Sequence, residues 1–493
     1  MTTNRWWIAI SGTVTMACLG TVYSWSLFTQ PLIASFGWSN TTTTWTFALA
    51  ILFLGIGAII GGRWQDRVGP RPVMMTGIFV WALGNILAGL GTARLGAPWI
   101  YLTYGIIGGL GLGLGYVTPV AAVTKWFPDR RGFGSGMVVM GFGLGAFFYN
   151  NILKVVPAFV EASRVAGKVL TARAGGEAAA MPDAAVHTIM STFVWSGVVF
   201  AVLGGFCASF VRNPPAVPAP AAVPPGAPAA AARTVTGRDY PPSEAMRTPQ
   251  FWALWAMLFL NVTAGILFIS NAVPIMRELT RTAPATALAV YGFIALFNGL
   301  GRFFWGAVSD RIGRNWAYIL IYGTQVAIFF VVGGIHSLPA VTILFAIVLL
   351  DYGGGFGTMP SFTADYFGTK FMGVNYGWIL LAWGVGGVVG PIFVARVKDL
   401  TGSFTGALPI TAVVLLVAMI LPIVTRPPGE HEPFWHGLRR ARAGAGRRTP
   451  ASRWRRRGPP PAAAPHQRAA VRPGPGRPGA RRCTADTHWL PAA

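Results

Sequence analysis

The sequence predicts an all-α membrane protein whose twelve transmembrane helices form two six-helix, pseudo-symmetric halves. Hydrophobic residues make up 53% of the 493 residues and charged residues only 11%, whereas a soluble domain carries about a quarter charged residues. Apolar stretches of about 20 residues, long enough to cross a hydrocarbon core of about 30 Å as helices, recur along the chain. A motif at the end of the second stretch returns at the end of the eighth, which indicates an internal duplication.

Each predicted span is expected to be a helix, because lipid leaves backbone groups without hydrogen-bonding partners outside a helix or a closed barrel. The spans cover roughly residues 6–28, 45–63, 73–91, 98–123, 133–156, 190–211, 250–270, 286–308, 316–336, 339–363, 372–395 and 407–425. The resulting divisions are an N-terminal half over 1–212, a Pro- and Ala-rich cytoplasmic linker over 213–248, a C-terminal half over 249–426 and an Arg- and Pro-rich tail over 427–493. The tail lacks apolar periodicity and is predicted to be disordered.

The chain repeats one short motif after 244 residues. Residues 62–69 read GRWQDRVG and residues 306–313 read GAVSDRIG, so Gly, Asp-Arg and Gly keep their spacing. The repeat extends further, since residues 142–145 (FGLG) match residues 383–386 (WGVG). Helices 2–5 therefore recur as helices 8–11, an arrangement typical of transporters whose substrate site lies between the repeats.

Lys and Arg are distributed unevenly between the predicted loops. If both termini lie in the cytoplasm, fifteen of these residues up to Arg426 fall in cytoplasmic segments and nine in outer loops. Cytoplasmic loops of membrane proteins carry the excess of positive residues. We therefore predict a multi-pass protein with cytoplasmic termini and with both Asp-Arg turns on the cytoplasmic side.

The net charge of +24 does not indicate a nucleic-acid partner. Half of it comes from the fourteen Arg and two acidic residues of 431–493, and most of the rest lies in loops that orient the helices. The three cysteines lack the spacing of a disulfide framework or a metal site, and no phosphate-binding loop occurs. We expect no metal and no cofactor, a lipid bilayer as surroundings, and transport energy from a gradient.

The twelve spans and the doubled Gly-x-x-x-Asp-Arg-x-Gly motif resemble the major facilitator superfamily. Within it, further segments resemble the bacterial oxalate–formate exchanger family: residues 125–132 (KWFPDRRG), 247–252 (RTPQFW), 296–299 (LFNG), 302–306 (RFFWG) and 375–377 (NYG). Together they cover the chain to about residue 425. The resemblance implies the major facilitator fold, a bacterial inner-membrane location and a small organic anion as substrate, and we further expect a monomer.

Two ionisable residues, Arg302 and Asp351, lie well inside predicted spans. Arg302 precedes Asp310 by eight residues, about 12 Å along a helix, which places it near mid-membrane. Buried charge is costly there and is usually functional. One interpretation is a structural Arg302–Asp351 pair that locks helices 8 and 10 together. The other is that Arg302 binds an anion, because its planar fork suits a carboxylate. The resemblance supports the second, since Arg302 occupies the family's helix-8 substrate arginine.

The chain departs from the family at two positions. The family's lysine on helix 11 corresponds to Trp383, and a neutral position on helix 10 has become Asp351. One cation fewer and one acid more favour a monoanion over the dianion oxalate. In similar animal monocarboxylate transporters an Asp linked to proton coupling lies four residues before the arginine, where this chain has Asn298. Asp351 is therefore predicted to be either the proton-exchanging residue or the counter-charge of Arg302.

Aromatic residues align with those that line the family's cavity. They lie on helices 1, 4, 5 and 10: Tyr23, Trp25, Tyr116, Phe142, Tyr352 and Phe356. Together with Arg302, Asn298 and Trp383 they form the predicted substrate site. A set of aromatics around one cation suggests a pocket for a small, mostly flat organic anion.

We therefore predict a secondary transporter, not an enzyme, that moves a small carboxylate by alternating access, with protons as co-substrate if Asp351 exchanges them. A monocarboxylate is favoured. An oxalate/formate-type anion exchanger and a sensor that binds a carboxylate without transporting it are the alternatives. The pairs Asp66-Arg67 and Asp310-Arg311 are predicted to form a cytoplasmic gate by hydrogen bonding adjacent helix ends.

Overall fold

The computed structural model describes residues 4–215, 236–401 and 406–428, and this part of the chain is all-α, as predicted. Twelve helices, labelled α1–α12 in chain order, correspond to the twelve predicted spans. Their bounds are Arg5–Phe36, Asn40–Val68, Pro70–Leu95, Ala97–Trp126, Arg131–Lys154, Asp183–Ala208, Pro249–Thr280, Pro284–Ile294 continued by Leu296–Ile312, Arg314–Gly334, Leu338–Phe367, Met372–Thr401, and Ala407–Ala418 continued by Ile420–Val424. Most of the predicted linker (216–235) and the predicted tail beyond residue 428 lie outside the described residues.

The helices have the length and composition of membrane spans. Among the described residues, nine helices (α1–α6 and α9–α11) are long and apolar enough to cross a bilayer, and α12 is a shorter apolar helix. Apolar side chains also cover much of the outer surface, as lipid contact requires. The architecture is that of a multi-pass membrane protein with two six-helix halves.

The helices extend beyond the apolar stretches that predicted them. For example, α2 was expected over 45–63 and runs over Asn40–Val68. It begins after Ser39, whose side-chain oxygen accepts a hydrogen bond from the backbone N–H of Thr42 at 3.1 Å, as an N-cap does. Such polar caps lie outside the apolar stretch, so hydropathy alone underestimates the length of the helix.

Several helices depart from regular α-helical geometry, and two of these irregularities, in α1 and α8, concern the site. A 3₁₀ turn at Thr21–Ser24 tightens α1 and contains Tyr23, and α8 is interrupted at Ala295, seven residues before Arg302. Short 3₁₀ segments inside a helix often mark functional regions. Both irregularities adjoin the site described below.

One further helix, Pro157–Ala174, lies between α5 and α6 and is called the loop helix here. Its Phe159 packs edge-on against Phe28 of α1, with ring centroids 5.6 Å apart. The loop helix therefore rests on α1.

Candidate functional site

Close packing of α8 and α10 positions Arg302. A Cβ atom added at Gly357 would overlap the carbonyl oxygen of Arg302, and one added at Gly353 would overlap that of Asn298. Small residues of this kind let helix backbones approach. On the other side, a Cβ atom at Gly143 of α5 would lie 2.9 Å from Nε of Arg302, so glycine leaves room for the guanidinium.

The side chain of Arg302 is completely buried, with 0% of its surface exposed. Its Nε lies 3.4 Å from Oδ1 of Asn298. The guanidinium carbon lies 4.7 Å from the ring centroid of Phe356 and 5.6 Å from that of Phe142, within cation–π range. Within the described residues, both terminal nitrogens of Arg302 lack a hydrogen-bonding partner.

Six aromatic residues surround this guanidinium, and we call them the aromatic cage: Tyr23, Tyr116, Phe142, Tyr352, Phe356 and Trp383. Trp383 contacts four of the other five, and Tyr352 packs against Phe356. The ring centroid of Trp383 lies 4.8 Å from that of Phe356, 5.4 Å from those of Tyr116 and Phe142, and 6.1 Å from that of Tyr23. The cage thus unites side chains from α1, α4, α5, α10 and α11 around a cation on α8.

The polar atoms of the cage have no hydrogen-bonding partners in the described part of the chain. They are Nη1 and Nη2 of Arg302, Nε1 of Trp383 and the hydroxyls of Tyr23, Tyr116 and Tyr352. The phenols of Tyr23 and Tyr116 lie beside the guanidinium and interact with it, but not in the geometry of a well-formed hydrogen bond, and Tyr352 interacts with it electrostatically. A buried polar group without a partner costs about 1–3 kcal/mol, so such groups rarely converge without a reason. Several donors around one cation are suited to binding a small anion.

Tyr376 of α11 was not among the predicted site residues. Its hydroxyl is buried, forms no well-aligned hydrogen bond among the described residues, and interacts with Tyr116 and, at longer range, with Arg302. It belongs to the segment NYG at 375–377, which carried part of the family resemblance. The NYG segment is therefore the sequence feature from which Tyr376 could have been predicted as a site residue.

The structure does not place Trp25 in the cage. Its Nε1 donates a hydrogen bond to the carbonyl oxygen of Thr43 at 2.9 Å, and its ring packs against Tyr104 with centroids 4.7 Å apart. Trp25 follows directly after the 3₁₀ turn that contains Tyr23, so the two aromatics point to different neighbours. Trp25 connects α1 to α2 and α4.

Asp351 does not contact Arg302, in contrast to the expected structural pair or counter-charge. Its side chain is 1% exposed. Oδ1 accepts a hydrogen bond from Nε1 of Trp305 on α8 at 2.9 Å, and Oδ2 bonds with the hydroxyl of Thr324 on α9. The carboxyl therefore bridges three helices and leaves Arg302 without an acidic partner in the described part of the chain.

Asp66 and Asp310 each bind the first amides of a helix in the other half. Oδ1 and Oδ2 of Asp66 accept hydrogen bonds from the backbone N–H groups of Gly373 (3.2 Å) and Val374 (2.9 Å) in α11. Those of Asp310 accept hydrogen bonds from Gly132 (2.8 Å) and Phe133 (2.7 Å) in α5. A carboxylate at a helix N-terminus satisfies unpaired amides and complements the helix dipole.

The glycines of the motif have distinct tasks. A Cβ atom at Gly62 would overlap the carbonyl oxygen of Gly373, so the first glycine permits the contact between α2 and α11. The last glycines, Gly69 and Gly313, have φ angles of 90° and 91° and end α2 and α8. This left-handed region favours glycine. The motif is thus a compact helix end that binds another helix.

An ionic chain reinforces the Asp310 contact. Arg314 forms ion pairs with Asp310 (2.8 Å) and Asp365 (2.9 Å), and Arg131 forms one with Asp365 (2.9 Å). All four side chains are at most 15% exposed. The predicted gate arginines, Arg67 and Arg311, are instead exposed to solvent. They follow Asp66 and Asp310 directly, and successive helical residues point about 100° apart.

A cavity of about 450 Å³ reaches the cage from the end of the bundle opposite the Asp66 and Asp310 contacts. It is lined by α1, α5, α7, α8 and α10. Tyr23 and Asn298, which flank Arg302, lie at its deep end, and Lys154, the last residue of α5, lies at its mouth. The site is therefore closed at one end of the bundle and approached from the other.

Comparison with known proteins assigns this architecture. The family model described as Major Facilitator Superfamily matches residues 10–391. The oxalate:formate antiporter of Oxalobacter formigenes is 28% identical over 429 residues, which cover 86% of this chain and 92% of the relative. The apicoplast pyruvate carrier 1 of Toxoplasma gondii is 25% identical over 437 residues, which cover 80% of this chain and 77% of the carrier.

Solved structures agree on the fold. The transporter FucP in its outward conformation superposes with a TM-score of 0.62 at 16% identity, covering 84% of this chain and 97% of FucP. The human organic anion transporter MFSD10 gives a TM-score of 0.61 at 16% identity, covering 85% of this chain and 99% of MFSD10. The fold and the family are those of membrane transporters and not of enzymes. This chain therefore belongs to the Major Facilitator Superfamily.

Proposed function

We propose that this chain is a secondary active transporter that moves a small organic anion, a monocarboxylate in preference to oxalate, across the bacterial inner membrane by alternating access. The observation that carries the proposal is the buried guanidinium of Arg302, whose terminal nitrogens have no partner inside the aromatic cage. A planar guanidinium offers a carboxylate two parallel hydrogen bonds. Phenol and indole donors of the cage would complete its coordination.

The charge of the cage supports a monoanion. Among the described residues, Arg302 is the only ionised group of the aromatic cage. Trp383, which is uncharged, stands where the family has a lysine, and the carboxyl of Asp351 bonds with Trp305 and Thr324 outside the cage. A monocarboxylate would neutralise the site, whereas oxalate would leave one negative charge in a medium of low dielectric constant. An oxalate/formate-type exchanger remains the second candidate, supported by the similarity to the oxalate:formate antiporter over 86% of this chain.

Alternating access would use the two halves, 1–212 and 249–426, as the moving bodies. With both termini in the cytoplasm, the Asp66 and Asp310 contacts close the cytoplasmic side and the 450 Å³ cavity faces outward. Transport to the cytoplasm then requires these contacts to break. A gradient of substrate or of an ion would supply the energy.

The first test is Arg302→Lys, which keeps the charge and removes the planar fork. We expect the affinity for formate, pyruvate and oxalate to fall at least about tenfold, equivalent to about 1.4 kcal/mol. Binding is measured as thermal stabilisation of the purified protein. Arg311→Lys on the same helix is the matched control and should bind like the wild type. Unchanged affinity of Arg302→Lys for all three anions would remove Arg302 from the site.

Counterflow in proteoliposomes separates a transporter from a sensor. Vesicles loaded with unlabelled anion should take up the same labelled anion against its concentration gradient if the protein exchanges it. A protein that is stabilised by the anion but shows no counterflow would be a sensor.

Asp351→Asn tests whether Asp351, the second ionisable residue inside the predicted spans, exchanges protons. The hydroxyl of Thr324 also contacts the carbonyl oxygen of Leu320 at 2.7 Å, and its single hydrogen cannot serve both acceptors. A protonated Asp351 would satisfy both, and asparagine mimics that form. We therefore expect Asp351→Asn to retain anion exchange and to lose any pH dependence of net uptake. Net uptake that keeps its pH dependence in this variant would exclude a proton-exchanging role for Asp351.

A further inference from the structure

The cavity that leads to the cage has a charged mouth. Lys154 is exposed at the end of α5 and forms no ion pair in the described part of the chain. No Asp or Glu occurs among the described residues that line the cavity. The uncompensated charge of Lys154 therefore faces the path by which an anion would approach Arg302.

One face of α5 connects the mouth to the cage. Gly143, Asn150 and Lys154 all line the cavity, and Gly143 adjoins the side chain of Arg302. Asn150 lies one helical turn before Lys154, so the two side chains are neighbours. The amide oxygen of Asn150 is buried and has no partner among the residues that the structure describes, and the amide group can rotate to present N–H donors. The mouth thus combines a cation with an unpaired amide.

The position of Lys154 along α5, relative to the glycine that adjoins Arg302, decides how the two cations can act. Lys154 follows Gly143 by eleven residues, which is about 16 Å along a helix. The two carboxylates of oxalate are joined by a single bond, so oxalate is much shorter than this backbone separation. Lys154 therefore does not replace the cation that the family has at the position of Trp383, and an anion would contact Lys154 and Arg302 in succession.

We propose that Lys154 and Asn150 form an outer capture site, which binds a small carboxylate before it reaches Arg302. This proposal rests on the proposed function, including the orientation in which the cavity faces outward. A charge at the mouth of a low-dielectric cleft raises the local concentration of an oppositely charged ligand and its association rate. Because the mouth is exposed, its contribution falls as salt is added, whereas binding at the buried Arg302 is screened much less.

Uptake of radiolabelled formate, pyruvate and oxalate into proteoliposomes, at low and high ionic strength, tests the capture site. At low ionic strength we expect Lys154→Gln to raise KM by about threefold to tenfold, with Vmax within about twofold of wild type. Lys154→Glu should raise KM further, and Lys154→Arg should behave like wild type because only the charge is required. At high ionic strength all four proteins should converge.

Lys168→Gln is the matched control, because Lys168 is an exposed lysine on the loop helix that does not line the cavity. It should leave KM unchanged. An unchanged KM in both Lys154→Gln and Lys154→Glu, or an equal rise in Lys168→Gln, would overturn the capture site. If Arg302→Lys still loses affinity in that case, the proposed function stands without it. Absence of both transport and thermal stabilisation by all three anions in the wild type would overturn the two proposals together.

Discussion

At the end of α2, Asp66 binds the first amides of α11, and at the end of α8, Asp310 binds the first amides of α5 in the same way. Among the described residues, ion pairs surround the Asp310 contact alone, through Arg314, Asp365 and Arg131. Lys125 acts on Asp66 only at longer range. The two contacts share their backbone geometry and differ in their charges.

The residues at equivalent positions of the two repeats account for this difference. Gly132 and Gly373 occupy equivalent places, so Arg131 corresponds to Met372. By the 244-residue offset of the motif, Arg314 corresponds to Pro70. Residues 126–127 (WF) match residues 366–367 (YF) at the ends of α4 and α10, so Asp365 corresponds to Lys125. Capping needs only a carboxylate and two backbone amides, so it survives change at neighbouring positions. Ion pairs need specific partners, so the two repeats have diverged there.

The largest difference is expected when the two caps are removed separately. Asp310→Ala leaves two amides unpaired and also Arg314 without one of its partners, for a loss of about 3 kcal/mol. Asp66→Ala removes only a cap, for about 1 kcal/mol. Thermal unfolding of each purified variant measures the loss. Equal losses would mean that the ionic chain adds nothing to the Asp310 contact.

A smaller effect is expected from Arg131→Met, which gives the α5 contact the residue that α11 has at Met372. Asp365 keeps Arg314 as a partner, so the loss should be about 1–2 kcal/mol, between those of the two cap variants. Thermal unfolding is again the measurement, with Arg130→Met as the control because Arg130 is exposed. A loss in Arg131→Met no larger than in the control would contradict a role for this ion pair.

The smallest effect is expected from Arg67→Gln and Arg311→Gln. Both arginines belong to the motif but are exposed, and exposed substitutions usually change stability by less than about 0.5 kcal/mol. Transport rate and thermal stability should both stay near wild type. A clear loss in either variant would mean that these arginines act in a conformation other than this one.

The helices and the central cation could be predicted from the sequence, because both follow from hydropathy and from the cost of charge in lipid. The residues with which the charged side chains pair could not be predicted from the sequence. Arg130 and Arg131 are adjacent, and which of them faces Asp365 depends on where α5 begins. Hydropathy does not locate a polar helix start to within one residue.

The neighbours of intramembrane polar groups were equally beyond the sequence. Asp351 and Arg302 lie on facing helices, yet Asp351 points to Trp305 and Thr324. Likewise Tyr23 and Trp25, two residues apart, point into and away from the cage because a 3₁₀ turn intervenes. Direction around a helix axis depends on a few degrees of local twist, which composition does not encode.

In the part of the chain that the structure describes, Arg302 has no acidic partner, which bears on how the carrier would return after it releases its substrate. An empty carrier would move a bare guanidinium through its closed intermediate, where an unpaired buried charge costs several kcal/mol. A carrier occupied by a monoanion would cross the same intermediate as a neutral unit. Return with a second anion would then be faster than return empty, so one-for-one exchange would outpace one-way flux.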